Sequence, residues 1–490
     1  MMDNLSTDLL GRPQSMPDAS SLAAVLASGH AGAIAGIARV AAERGEAEAL
    51  LMSAIAELTL RDESGLNGTL VAAVACLRVL PEHEGVRGAL PVARGLDLIA
   101  AAIAGQPKRA AEPTATAGTA TTLQDALSAP LAAADASTAE QAVRAAALGG
   151  VPTAAIATML VDSLYLRAAS CAHLAPVVVA GLAFVRLAEH DLAIDTLARL
   201  ARTLHLRSLP VAPDHEALIA PILGAVERIH AAQDDEKAGA FQEARFRPHL
   251  LGAKPASLVR AVAKALAFGV PRARVATSLC LAGAERVLRF DPSHARSVRR
   301  RESWLDMGWL LQITEAVRTL GVLHDRPGWI GLLLHTTLLV RGAQSLDAAT
   351  PRDVPEPETL ARTWDHGPEI ARVTGAMLNG DGVRAMAVLR GYLLMVLPEQ
   401  PLSAGIAAAA LEDRAASAVE QGALVATVVA ALASFGAAAA LPHRDLLPCA
   451  ALQIFTSTHP QRPAFALAHA EVDQAEGATV TYAASPLPWL

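Results

Sequence analysis

Residues 150–160 read GVPTAAIATML and residues 269–279 read GVPRARVATSL; seven of the eleven positions are identical, and Ile156 answers to Val275. Glycine accepts the left-handed conformation that closes a helix, and proline suits the first turn of the next. Each copy follows an amphipathic stretch, STAEQAVRAAALGG (137–150) and SLVRAVAKALAFGV (257–270). The first carries a capping-box pattern, Ser137 with Glu140 three residues on. The unit helix, Gly-Val-Pro corner, helix is thus written twice. It predicts an all-α fold, a duplicated multi-helix bundle built from repeated helical hairpins.

Composition agrees. Hydrophobic residues make up 52% of the 490-residue chain but aromatics only 3%, so the apolar content is mostly Ala, Leu and Val. Alanine is the best helix former and lets helices approach closely. The net charge of −7 argues against general nucleic-acid binding, which needs a basic footprint. Arg296, Arg299, Arg300 and Arg301 form one local basic cluster, readable as a solvated helix start or as a patch for an acidic partner. Cys76, Cys171, Cys280 and Cys449 are scattered without a CxxC, as expected of small buried residues in a reducing compartment. The N-terminus lacks a basic stretch followed by an apolar core, so a cytoplasmic location is expected. The uncharged run Gly422 to Pro442 is long enough to span a bilayer. Its alanine content reads better as a buried core helix, and no membrane span is expected.

Punctuation along the chain divides it. A helical unit occupies 1–104, a Pro/Thr/Gly-rich linker 105–122, the duplicated helical domain 123–346, a proline-marked loop 347–363 and a C-terminal helical block 364–490. Within that block ATVTY (478–482) hints at a strand.

Glycine-rich phosphate loops, GxSxG and HExxH are absent from the sequence. Chemistry would therefore fall to histidines and carboxylates. His173 and His294 follow the two repeated helices at similar distances. His190 lies beside Asp191 and Asp195, which share a helix face. His335 sits in PGWIGLLLHTTLLVRG (327–342), within the uncharged run between Arg326 and Arg341, where its ring nitrogens need partners. Each reads as a packed or capping histidine or as a metal ligand in a helical bundle. Glu302, Asp306 and Glu315 lie on the RRRESWLDMGWLLQITEAVRTLG segment with Trp304 and Trp309. With Trp329 these tryptophans could wall a pocket or serve as core bulk. His459 and His469, ten residues apart, fall on different faces of any single helix.

RVLRFD, SWLD and AVR (316–318), together with the Gly-Val-Pro helices and LLLHTTLLVRGA, resemble the helical region of bacterial proteins that carry a Rieske domain. They are also similar in layout to questin oxidase-like helical proteins. The resemblance covers residues 135–345, with an echo near 440–475. It implies an oxidoreductase-related protein whose His/carboxylate site lies between helical repeats. The catalytic residues would be His335 and Glu315, and the metal ligands His173, His294 and His335. The metal would be a mononuclear iron, manganese or zinc. The chain departs from the pattern: Trp309 and Glu315 stand where the family supplies histidines, and the Rieske ligand pattern CxH…CxxH is missing. Two further readings stand beside it. One is a non-catalytic scaffold that grips a redox or other partner protein. The other is a binding protein whose apolar groove, walled by Trp304, Trp309 and Trp329, takes an apolar small molecule.

Overall fold

A computed structural model describes residues 19–458 apart from 62–65, 84, 105, 107–116, 130–134, 210–212, 233–240, 297–301, 352, 361–365 and 413–416. Among the described residues every regular element is a helix, and the single extended pairing is an isolated antiparallel bridge between Phe290 and Asp347. The fold is all-α, as the alanine-rich composition implies. Segment 478–482, His459 and His469 lie outside the described residues.

The two quoted stretches fold alike. Gly150 and Gly269 are both left-handed, at φ 83° and 85°. The next amide in each, Val151 and Val270, donates back to the carbonyls of Ala146 (3.0 Å) and Ala265 (3.1 Å). That 6→1 bond satisfies a carbonyl that the helix end leaves orphaned. Past the corner, the carbonyls of Pro152 and Pro271 each accept from the amides three and four residues on, opening the Thr153–Leu166 and Arg272–Arg289 helices. What the copies share is this corner and the helix start.

A related turn, with a left-handed residue two positions before a proline, escaped the sequence reading. Residues 396–398 read Val-Leu-Pro, between the Gly382–Leu394 and Glu399–Leu411 helices. Val396 takes the glycine's place at φ 56°, donating to the Leu393 carbonyl (3.0 Å) as Gly150 and Gly269 donate to Ala147 and Leu266. A β-branched residue rarely adopts this conformation.

Contacts gather the chain into two units. The first comprises residues 1–163, 176–208 and 417–426; the second, 164–175, 209–416 and 427–490. The stretch read as a linker, 105–122, falls inside the first unit, and the Ala120–Ser128 helix begins within it, capped by Thr119.

In the first unit, small residues permit close helix contact. A Cβ on Gly95 would stand 2.4 Å from Leu51, and one on Gly181 2.7 Å from Leu200. The Asp135–Leu148 helix starts before Ser137, so Ser137 and Glu140 are not its capping box. Glu140 is instead buried among arginines, 3.3 Å from Arg144, 3.6 Å from Arg202 and 4.0 Å from Arg199. Three cations outbid a backbone amide for a desolvated carboxylate.

In the second unit the Arg272–Arg289 helix packs along Trp304–Leu323, with Trp329–Gly342 and Leu446–Thr458 against them. Arg286 is fully buried and joins three segments, donating to the Val340 carbonyl (3.2 Å), the Leu251 carbonyl and the Asp347 carboxylate. The loop expected over 347–363 is tied down: Asp347 holds Arg286, and the Glu358 amide donates to the Ala387 carbonyl (2.9 Å).

Among the described residues two segments, Ala168–Val185 and Ala418–Ala437, are long and apolar enough to cross a membrane; 83% and 61% of their most apolar windows are buried within the protein.

Candidate functional site

The structure places Glu315 in the middle of the Trp304–Leu323 helix, buried, with both oxygens engaged. Arg318 donates to each at 2.7 Å, Thr319 adds a bond of 2.9 Å, and Ser434 a fourth of 2.8 Å. Cys280 lies within reach of the same cluster, its thiol pushed up to about 12 chiefly by burial and then by the Glu315 charge. A carboxylate accepting four hydrogen bonds, two of them from one guanidinium fork, has its lone pairs occupied by this chain's own donors.

The histidines are distributed. His173 is buried in the Ala172–Leu174 turn. His294 lies in the short His294–Arg296 turn, its ring 5.9 Å from that of Phe290. His335 is buried in the Trp329–Gly342 helix, where burial and the neighbouring His215 lower its pKa to about 4. His215 is itself lowered by burial. His190 and Asp191 are exposed at the start of the His190–Leu206 helix, and Asp195 is taken by Arg144. Among the described residues no three His, Cys, Asp or Glu side chains come close enough to hold a metal ion. The set His173, His294, His335 and Glu315 is therefore not one ligand sphere. Glu315 is held instead by Arg318, Thr319 and Ser434.

The tryptophans do not wall one groove either. Trp304 opens its helix, with its ring 4.7 Å from Phe290 and edge-on. Trp329 packs on Gly321, near the other end of that helix, where a Cβ would stand 2.7 Å from its ring, and its indole donates to the Val317 carbonyl (2.7 Å). Seventeen residues of helix separate the two positions, about 25 Å. Trp309 is half-buried between them. Asp306, noted with Glu302 for its spacing, is the third residue of the capping box whose N-cap is Ser303: it accepts from the Ser303 amide (2.7 Å) and hydroxyl (2.6 Å). That is the capping box S-x-x-D, present in the sequence and overlooked there.

All four cysteines are buried free thiols.

A different feature stands out at one end of the second unit. The Tyr165 hydroxyl donates to the carbonyls of Leu320 (3.4 Å) and His324 (3.0 Å), bringing the end of one helix to the end of Trp304–Leu323. Arg272 bonds Asp325 (2.5 Å), so the second Gly-Val-Pro corner lies beside the same turn. Leu223 packs 3.2 Å from the Cβ position of Gly331. Leu166, Leu223, Phe268, Val322 and Leu323 sit at or next to the helix ends that these contacts tie together, each exposed, from 42% for Leu323 to 68% for Leu166. The rim is polar. His230 and Arg272 share Asp325, Lys264 stands 5.5 Å over the Phe268 ring, and Arg326 is exposed. Sequence reading missed this cluster because its members come from four separate helix ends.

Comparison with protein-family models, with curated proteins and with solved structures finds no match to this chain.

Proposed function

We propose that this chain is a non-catalytic helical binding protein that docks a partner protein on the apolar end of its second unit. The observation that carries the reading is the placement of Leu166, Leu223, Phe268, Val322 and Leu323, all exposed, at or next to helix ends tied together at one end of the unit. Single exposed apolar residues are ordinary, whereas several on helix ends tied to one turn and rimmed by polar groups favour an interaction surface. The cations Lys264, Arg272 and Arg326 outnumber Asp325 around it. The partner it fits offers an apolar helix face edged with acidic side chains. Glu315 supports the same reading from the other side, since its bonds to Arg318, Thr319 and Ser434 make it structural.

The test is affinity capture from the source cells. It uses the parent chain, a Leu166→Ser, Val322→Ser, Leu323→Ser variant, and a Val383→Ser, Leu394→Ser control altered at exposed apolar positions on another helix. A stoichiometric partner retained by parent and control but lost with the triple variant supports the proposal. Equal capture by all three, or capture by none, sinks it.

A further inference from the structure

The chain holds three asparagines, Asn4, Asn67 and Asn379, and the second and third are each followed by glycine. An asparagine carboxamide before glycine is open to its own backbone. The next amide nitrogen can close on Cγ in a five-membered ring, and glycine, without a Cβ, leaves that nitrogen unobstructed. The fold sets the two pairs in different geometries.

Ring closure brings Cγ, Cβ, Cα, the carbonyl carbon and the glycine nitrogen toward one plane. Substituents on Cα stand about 120° apart, so the glycine nitrogen eclipses Cβ at ψ of about −120°. Asn67 lies at ψ −161°, about 40° from that arrangement. Asn379 lies at ψ 0°, about 120° from it, with the nitrogen turned away from its side chain.

Hydrogen bonding separates the pairs in the same sense. Asn379 ends the Gly367–Leu378 helix, and the Gly380 amide donates to the Met377 carbonyl (3.1 Å). Gly68 is exposed and is the first residue of the Gly68–Val79 helix, a position for whose amide the helix itself has no acceptor. Asn67 caps this helix, its Oδ1 accepting from the Thr69 amide at 2.8 Å. That bond turns Cγ toward the helix start. It also sets a donor on the oxygen that becomes negative when Cγ is attacked.

We infer that Asn67 is a self-modification site of the folded chain, with the Gly68 amide as nucleophile and water as the second reactant. Hydroxide takes the Gly68 amide proton, the nitrogen bonds to Cγ, and the Cγ–Nδ2 bond breaks as Nδ2 leaves, protonated, as ammonia. Water then opens the cyclic imide, at Cγ to give aspartate or at the backbone carbonyl to give isoaspartate. Net, one water is consumed and one ammonia released. Aspartate keeps the cap and adds a negative charge at the positive end of the helix. Isoaspartate lengthens the main chain by one carbon beside Leu66, which is buried and whose amide donates to the Thr203 hydroxyl (2.8 Å). The site lies in the first unit, and the inference does not rest on the partner-docking proposal.

The experiment is peptide mapping by mass spectrometry of the whole chain aged at mildly alkaline pH, folded and in urea. In urea both Asn-Gly pairs should convert at comparable rates. In the folded chain Asn67 should convert at least about 10-fold faster than Asn379, a modest return for holding reacting atoms near their attack geometry. Gly68→Ala should slow Asn67 and leave Asn379 unchanged. Asn67 intact in the folded chain while the urea sample converts overturns the inference. So does an Asn67 rate unchanged by Gly68→Ala, or equal conversion of both asparagines in the folded chain, where the dipeptide and not the fold then sets the rate.

Discussion

Replacing Val396 by glycine should stabilise the second unit. Val396 holds the left-handed conformation at φ 56° that glycine holds at the two Gly-Val-Pro corners. A side chain in that region costs roughly 1–2 kcal/mol. Glycine gives back about 0.5–1 kcal/mol through the greater freedom of its unfolded chain. Val396 is 89% exposed, so its side chain contributes little burial. The net gain is roughly 0.5–1 kcal/mol. The assay is urea unfolding followed by tryptophan fluorescence, since Trp304, Trp309 and Trp329 all belong to the second unit. The midpoint should rise by a few tenths of a molar at unchanged slope. The reciprocal change, Gly269→Ala at φ 85°, should lower it by a similar amount. A lower midpoint for Val396→Gly, or a neutral Gly269→Ala, would refute the assignment of 396–398 as a related turn.

Three further outcomes are expected. Glu315→Ala strips the half-buried Arg318 guanidinium of its partner and should destabilise by about 2–3 kcal/mol; Ser434→Ala, which removes one bond, should cost about 1–2 kcal/mol, and two neutral results would mean that the cluster contributes nothing. His335 stays neutral down to about pH 4 in the folded protein, against an ordinary histidine pKa of about 6.5 when unfolded. Between those values the unfolded chain binds the extra proton, so up to about 3 kcal/mol of stability is lost as pH falls from 6.5 to 4. His335→Leu should flatten the stability–pH profile in that window, and an unchanged slope would contradict the burial of the ring. Finally, iodoacetamide should label none of the four thiols until the protein unfolds, because burial raises all four; one thiol labelled fast in the folded protein would be decisive against this.

The corners were legible because glycine and proline act locally. Gly150 and Gly269 fix backbone angles that follow from the residue type alone. Val396 defeated the same reading, since a valine rarely adopts that conformation and its residue type gives no signal of it. Helicity was legible from alanine content for the same local reason. The assembly was not. Residues 417–426 join the first unit across more than two hundred intervening residues, and no local signal marks that return. The candidate site failed on long-range pairing too. Glu315 is neutralised by Arg318, three residues away and in plain sight, but Ser434 comes from 119 residues further on. The sequence reading noted Asp306 only for its spacing from Glu302, although the S-x-x-D spacing at Ser303 already specified a helix cap. Histidines spread through an apolar chain look like a ligand set only when their positions in space are unknown.

The most direct test of the binding role is photocrosslinking in the source cells, with a photoreactive phenylalanine replacing Val322, Leu223 or, in the first unit, exposed Leu187. The proposed role predicts one common partner crosslinked from positions 322 and 223 and not from 187. Crosslinks indistinguishable among the three positions, or none from 322 and 223, would contradict it.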